Sequence, residues 1–576
     1  MKFSRSFSAL GLVPLLASAA PAPEAIPDPA EDGWLSEAFA ERVGGSLDAI
    51  KGTLLGGEPA FGAALADDLR PDLLEVSEID DSLSVGRWDG AQQGAPARLS
   101  GALEDISRAF EGDAPEHVKF KLFGVDGRST DQYFAASGTS ASGGFLEINA
   151  TWRIRWAEKH PLPESVSLLA YEEVRRKVPA GSPMTVFVDA TGAVIPPDPG
   201  VRSQFGHGTD HWRQRIELSN RMFKFAYNGI AVGDADGDGL DDLFVCQNGG
   251  LPNRLFLQNP DGTLRDATEH SGLGMLDSTQ AALLVDLDND GDQDLVATTP
   301  SALVIFENTG GGKFVPRLRS RVAENGYGLA AADFDQDGFL DIYVCRYHAD
   351  KSEGQRLAVP VPYYDANNGG ANYLVRNAGP SDQPGGWLRF EDATAAVGLD
   401  VRNSRFSFAA VWEDFDGDGD ADLYVANDFG RNVFYENRLV PDGEARFREV
   451  ADAVGLREAG FGMSAATGDF NRDGHPDIYA GNMFSAAGNR VTHQPQFRTG
   501  APDAIKREFQ RMAQGNGLFL GGAQGDAPRF TDASATSGAA MGRWSWGSVP
   551  ADINNDGWED LLVANGFVTG RQPDDL

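Results

Sequence analysis

The sequence predicts a mainly β protein: a six- to seven-bladed β-propeller with acidic loops over residues 205–576, preceded by a smaller α+β domain at 33–200. Three repeated elements predict it. A nine-residue acidic loop starts at Asp234, Asp286, Asp333, Asp414, Asp469 and Asp552. An apolar strand follows the first five, as in Asn253-Arg-Leu-Phe-Leu-Gln-Asn259, Leu303-Val-Ile-Phe-Glu-Asn308 and Asn432-Val-Phe-Tyr-Glu-Asn437. The segment Phe390-Glu-Asp-Ala-Thr394 is then matched by Leu264-Arg-Asp-Ala-Thr268 and Phe530-Thr-Asp-Ala-Ser534. Each unit thus carries four short strands in about 40–50 residues, the signature of a propeller blade.

In chain order, residues 1–19 combine Lys2 and Arg5, an apolar run from Phe7 to Leu16, and Ala17-Ser18-Ala19, the three parts of a secretory signal peptide. A Pro/Ala-rich linker follows at 20–32. Apolar residues three and four apart predict helices over Leu35–Leu55 and Ala97–Phe110. The period then changes to two, predicting strands at His117–Val125, Gln132–Ala136, Phe145–Trp156, Val166–Tyr171 and Met184–Val188. The segment ending at Trp156 resembles the curved sheet of cystatin-like or nuclear-transport-factor-like domains. With the leader at 1–19 the expected location is secreted, extracellular or periplasmic, and no stretch reaches the length of a transmembrane span. Cys246 and Cys345, the only cysteines, occupy one register in two repeats that are not neighbours, and are expected to be buried and unbridged.

The chain has 85 acidic against 49 basic residues, a formal charge of −36. That excess argues against nucleic acid as a partner, because phosphate binding needs clustered cations. Much of it lies in the loops DADGDGLDD, DLDNDGDQD, DFDQDGFLD, DFDGDGDAD, DFNRDGHPD and DINNDGWED. Oxygen ligands fall at positions 1, 3, 5 and 9. They are Asp234, Asp236, Asp238 and Asp242; Asp286, Asp288, Asp290 and Asp294; Asp333, Asp335, Asp337 and Asp341; Asp414, Asp416, Asp418 and Asp422; Asp469, Asn471, Asp473 and Asp477; and Asp552, Asn554, Asp556 and Asp560. Ca²⁺ takes six to eight oxygens, which alternating carboxylates on a tight loop supply. Gly fills position 6 for the turn, and the unselective position 7 is expected to offer its backbone carbonyl. An EF-hand is excluded, because position 12 is Val or Ala inside a strand instead of a bidentate Glu. About six Ca²⁺ ions are expected, and they would cancel a third of the charge excess.

These motifs resemble the FG-GAP and VCBS repeats of integrin α propellers, and more closely the secreted cartilage-acidic-protein-like group, whose members often end in an ASPIC/UnbV module. The resemblance implies a calcium-stabilised propeller, usually seven-bladed, used in extracellular binding. The chain departs from it in showing six loops and in stopping at Leu576 without room for that module. Residues 208–228 are expected to complete the last unit by closing the ring, unless the chain is a fragment.

The acidic loop joins the first and second strands of each unit, so all six fall on one face. Two insertions of about 30 residues, from Arg346 and from Gly481, follow second strands and fall on the other. Candidate ligand-binding residues there are Arg346, His348, Tyr363, Tyr364, Asn427, Asp428, Arg431, Asn482, Arg490, His493 and Asn565, whose amide, guanidinium and aromatic groups suit a glycan or a polar protein segment. No HExxH, GxSxG, P-loop or zinc spacing is present, so the sequence leans away from an enzyme. A polysaccharide lyase or hydrolase with its site on the insertion face, and a structural module of a surface assembly, are the alternatives. Oligomeric state is not legible.

Overall fold

The computed structural model describes residues 34–72, 75–79, 82–88, 90, 96–178, 187–208, 211–212, 214–216, 229–348, 359–522 and 529–566. The expected leader and linker lie outside these residues.

Helix α1 (Leu35–Leu54) turns Val43, Leu47, Ile50 and Leu54 to one side, the stripe that a 3.6-residue period demands. The second helix, α2 (Leu99–Ser107), is shorter than the apolar spacing predicts. Strands β1 (Glu75–Glu78), β2 (Leu83–Arg87), β3 (His117–Asp126), β4 (Ser129–Thr139), β5 (Phe145–Trp156) and β6 (Pro163–Arg176) form an antiparallel sheet in the order β1-β2-β6-β5-β4-β3. On β5, Leu146, Ile148, Trp152, Ile154 and Trp156 are buried and join the helical stripe in one core. Burying about 200 Å² per indole contributes on the order of 5 kcal/mol each, as an upper bound. Bulges in the β5–β6 ladder at Thr151/Trp152 and Arg155/Trp156 bend the sheet. Its other face carries Glu147, Asn149 and Thr151. Of the expected strand Met184–Val188, the first three residues lie outside the described set, and Phe187 and Val188 are not in a strand.

From Ile230 onward the described residues build five four-stranded antiparallel sheets, a small two-stranded one pairing Gly370–Ala371 with Ser404–Arg405, and a final two-stranded one. The four-stranded sheets and the final one run over 230–266, 281–320, 326–392, 407–449, 464–532 and 545–565. Their first strands adjoin in sequence, each against the first strand of the next blade, which is the propeller arrangement. Small residues permit the approach: a Cβ on Gly328 would lie 2.1 Å from the carbonyl oxygen of Phe408 in the following blade. Second strands such as Asp294–Thr299, Asp341–Arg346 and Asp422–Asn427 are buried throughout, since neighbouring blades cover both their faces. Residues 217–228, expected to close the ring, are outside the described residues, and 214–216 form no strand. Cys246 and Cys345 are free and fully buried, as their register predicts.

Asparagines join consecutive blades. The side-chain amides of Asn308 and Asn437, each ending a third strand, and of Asn377 within one donate to the carbonyls of Ala235, Phe334 and Leu287 in the preceding blade's acidic loop, at 2.9, 3.0 and 2.9 Å. A second set works within a blade: Asn253, Asn372, Asn432 and Asn516 each accept, at 2.8 Å, the N–H of the residue that ends or follows the second strand. These are buried hydrogen bonds, worth about 1 kcal/mol each and costlier when half-removed.

The insertion of the fifth blade folds into two helices, α3 (Ala486–Thr492) and α4 (Asp503–Gln514). Ser485 caps α3 by accepting the Gly488 N–H at 3.0 Å. α4 buries Phe509, Met512 and Ala513 and ends at Gly515, whose φ of +103° suits only glycine. α3 rests on the N-terminal domain: the Arg490 guanidinium donates to both carboxylate oxygens of Glu37 on α1, at 3.0 and 2.8 Å, and to the Leu122 carbonyl on β3 at 2.6 Å.

Candidate functional site

All six acidic loops adopt one conformation, dictated by their Asp and Gly positions. The position 1 carboxylate accepts the N–H of the position 6 glycine in every loop, at 2.8–3.1 Å. The position 5 carboxylate accepts the N–H of position 7 in every loop, at 2.8–3.1 Å. The six glycines have φ between +81° and +97°, the left-handed region that side chains disfavour. Position 4 is left-handed as well, in Gly237, Asn289, Gln336, Gly417, Arg472 and Asn555. Its enrichment in Gly and Asn was the signal that could have shown this second turn.

The position 9 aspartates stand at the start of the second strands. Asp242, Asp294, Asp341, Asp422 and Asp477 each accept a third-strand-end N–H at 2.7–2.8 Å. Burial pushes Asp294 up to about 7, Asp341 to about 8, Asp422 to about 9 and Asp477 to about 6, and neighbouring loop carboxylates add to it. A bound cation would reverse the sign of that environment.

The donor set fits such a cation. Single carboxylate oxygens of Asp234, Asp236 and Asp242, of Asp286, Asp288 and Asp290, of Asp333, Asp335 and Asp341, and of Asp414, Asp416 and Asp418 lie within 4.8 Å of one another in each group. In these loops the buried Oδ1 atoms of Asp236, Asp286, Asp335 and Asp420 and the Oδ2 atoms of Asp418 and Asp422 have no hydrogen-bond partner. Leaving buried acceptors unmatched is costly unless something else satisfies them. Outer residues hold the other oxygens in place, a role sequence reading missed: Arg265 on Asp236 at 2.7 Å, Trp387 on Asp288 at 2.6 Å, and Arg376 on Asp335 and Asp337 at 2.6 and 2.8 Å. The fifth and sixth loops have Asn471 and Asn554 at position 3, whose amide nitrogens donate to Asp473 and Asp556 at 3.0 and 2.9 Å. Asp469, Asp552 and Asp560 complete those two loops.

At the opposite ends of the strands the insertions gather aromatic side chains. Tyr363 stacks on Phe509 at 6.0 Å and meets Phe429 edge-on at 5.1 Å, while remaining 41% exposed. Tyr364 packs against Phe509, and His348 against Tyr347 and Phe406. Asp428 accepts a hydrogen bond from the Tyr347 hydroxyl, and its burial pushes its carboxyl up to about 7. Other candidates serve the scaffold. Arg346, Asn427 and Asn482 are almost fully buried: Arg346 bonds the Ala371 carbonyl, Asn427 accepts from Ser407, and Asn482 donates to the buried Glu458. Arg431 is paired with Glu508 at 3.0 Å, and Arg490 is committed to Glu37 and Leu122. His493 and Asn565 are exposed.

A propeller whose blades open with Asp-rich turns is the class that this fold and these loops define. FG-GAP-like repeats match at residues 234–297, 286–344 and 414–480. Human integrin alpha-7 is 26% identical over 233 residues, covering 39% of this chain and 18% of the integrin; the rat integrin alpha-7 is 26% identical over 228 residues, covering 38% and 19%. The chain thus carries an integrin-like β-propeller, and its matched part spans about a fifth of the length of these relatives. The Asp-rich clusters are compatible with divalent cation binding. Among solved structures, the Vibrio cholerae biofilm matrix protein Bap1 shares 15% identity with a TM-score of 0.26, covering 46% of this chain and 36% of that one. An Agrocybe aegerita lectin described as recognising non-reducing terminal N-acetylglucosamine shares 14% with a TM-score of 0.33, covering 59% and 75%. No helix among the described residues is long and apolar enough to cross a membrane.

Proposed function

We propose that the chain is a secreted, calcium-binding propeller of six or seven blades that recognises an extracellular glycan or protein through its insertion-bearing face. The observation that carries the reading is the set of unpartnered, buried carboxylate oxygens in four of the six like-folded loops. Oxygen-only donors without His or Cys favour a hard cation, and flexible carboxylate loops suit Ca²⁺ better than Mg²⁺, which prefers to keep its waters. With the loops fixing one face, the other is free to bind. Tyr363, Tyr364, His348, Asp428, His493 and Asn565 are the residues proposed to meet the ligand: Tyr363, His493 and Asn565 are exposed, and Tyr364, His348 and Asp428 lie in the aromatic cluster beside Tyr363, whereas Arg346, Asn427 and Asn482 are almost fully buried.

Metal analysis of the purified protein, followed by melting with and without EDTA, tests the calcium claim. A metal-free protein whose melting temperature ignores EDTA would overturn it. A glycan array and an extracellular protein array, each run with and without EDTA, test recognition; absence of any ligand on both would count against it.

A further inference from the structure

Where the N-terminal sheet meets the propeller, a pocket of about 630 Å³ opens between the uncovered face of β3–β6 and the loop before the final two-stranded sheet. It is lined by Lys119, Lys121, Arg87 and Arg543 against only Glu147 and Glu172, in a chain whose formal charge is −36. Arg87 and Glu172 neutralise one another at 2.8 Å. Lys121 and Arg543 have no carboxylate partner among the described residues. The Lys121 ammonium lies 5.8 Å from the centre of the Phe484 ring. Burial and the neighbouring Arg543 charge hold its pKa below the ordinary lysine value, so the cationic form lacks compensation here. Arg543 has φ +59°, a conformation that β-carbon residues adopt at a cost and that collects at ligand sites. Trp88 and Tyr133 add aromatic surface to the lining, and Asn149 and Thr151 add an amide and a hydroxyl.

We propose that this pocket binds an acidic saccharide, its carboxylate or sulfate seated between Lys121 and Arg543 and its ring against Tyr133 or Trp88. Two half-buried cations facing each other across a domain boundary destabilise it unless an anion bridges them. The aromatic and amide groups beside them match the apolar face and hydroxyl rim of a sugar. The site adjoins the fifth-blade insertion, whose Phe484 donates its N–H to the Arg543 carbonyl at 2.7 Å, and none of the residues proposed above to meet a ligand lines it.

The test is calorimetry on the full calcium-loaded chain with glucuronate, glucose and inorganic sulfate as probes. Glucuronate should bind at least about tenfold more tightly than glucose, as the loss of a charge-assisted hydrogen bond implies. Added sulfate should compete with it. In the double variant Lys121→Gln, Arg543→Gln that preference should vanish, while the melting temperature of the ligand-free protein does not fall and its response to EDTA stays that of the parent. Equal affinity for glucose and glucuronate, no binding of glucuronate, or a preference kept by the folded variant would each overturn the assignment; sulfate binding without glucuronate binding would overturn its saccharide part. Should the variant fail to fold, the parent alone decides: a glucuronate affinity indifferent to NaCl refutes the cationic seat.

Discussion

The first four acidic loops and the last two share a backbone but differ at position 3. Asp236, Asp288, Asp335 and Asp416 give way to Asn471 and Asn554. In the first group, carboxylate oxygens crowd within 4.8 Å and six buried ones lack partners; in the second, the asparagine amide satisfies its neighbour by donating to it. Loop shape therefore comes from Asp at position 1 and Gly at position 6, whereas the proposed appetite for a cation would follow carboxylate density. The same turn can be an ion cage or a self-satisfied hairpin.

Removing the cations should have the largest effect. A ligand held at about a hundredfold over its Kd stabilises by about 2.7 kcal/mol per site, so EDTA should lower the melting temperature by many degrees. Titration of metal content against free calcium should show the two asparagine loops emptying before the four carboxylate loops. Simultaneous loss from all six would dissolve the distinction.

Next in size is the position 9 aspartate. Asp422 is buried and accepts the Asn437 N–H at 2.7 Å, so Asp422→Ala should cost about 3 kcal/mol or more in chemical denaturation. Asp560 sits in the two-stranded final sheet and is less buried, and Asp560→Ala should cost about 1 kcal/mol or less. Asn437→Ala, which removes a blade-to-blade bond and orphans the Phe334 carbonyl, should fall between them at about 1–2 kcal/mol.

The insertion face supplies a pH test away from the loops. The carboxyl of Asp428 is raised to about 7 by burial, above its unfolded value near 4, so the native state keeps a proton that the unfolded state has lost. Its contribution is fully present below pH ~4 and is lost as pH rises towards 7. Asp428→Asn should flatten that decline and leave the variant more stable than its parent at pH 8. An unchanged slope in urea melts would show that Asp428 is hydrated. The smallest expected effect is that of Asn471→Asp, which should tighten ion binding in the fifth loop with little change in metal-free stability.

Local periodicity made the six loops, the strands that flank them and the strands around Trp152 legible in the sequence. Roles that depend on distant partners were not. Arg490 follows a second strand and reads as a surface cation, yet Glu37, its partner, lies 453 residues earlier. Asn427 and Asn482 look like strand-ending surface amides, but the closing of one blade on the next buries them. Arg265, Arg376 and Trp387 carry no spacing signature because they reach the loops from third and fourth strands. Position 4 of the loop was visible in composition and overlooked, since Gln336 and Arg472 dilute the glycine and asparagine found there.

The asparagine amides that clasp the preceding blade's loop run in one direction around the disc. Asn308 grips the Ala235 carbonyl, Asn377 that of Leu287, and Asn437 that of Phe334. If the proposed ions are bound, a loop that loosened on losing one would release the strand end of the blade after it, where the next position 9 aspartate is anchored. Occupancy of one site would thereby be linked to the integrity of its successor, and the ring would answer falling calcium as a threshold instead of a gradient.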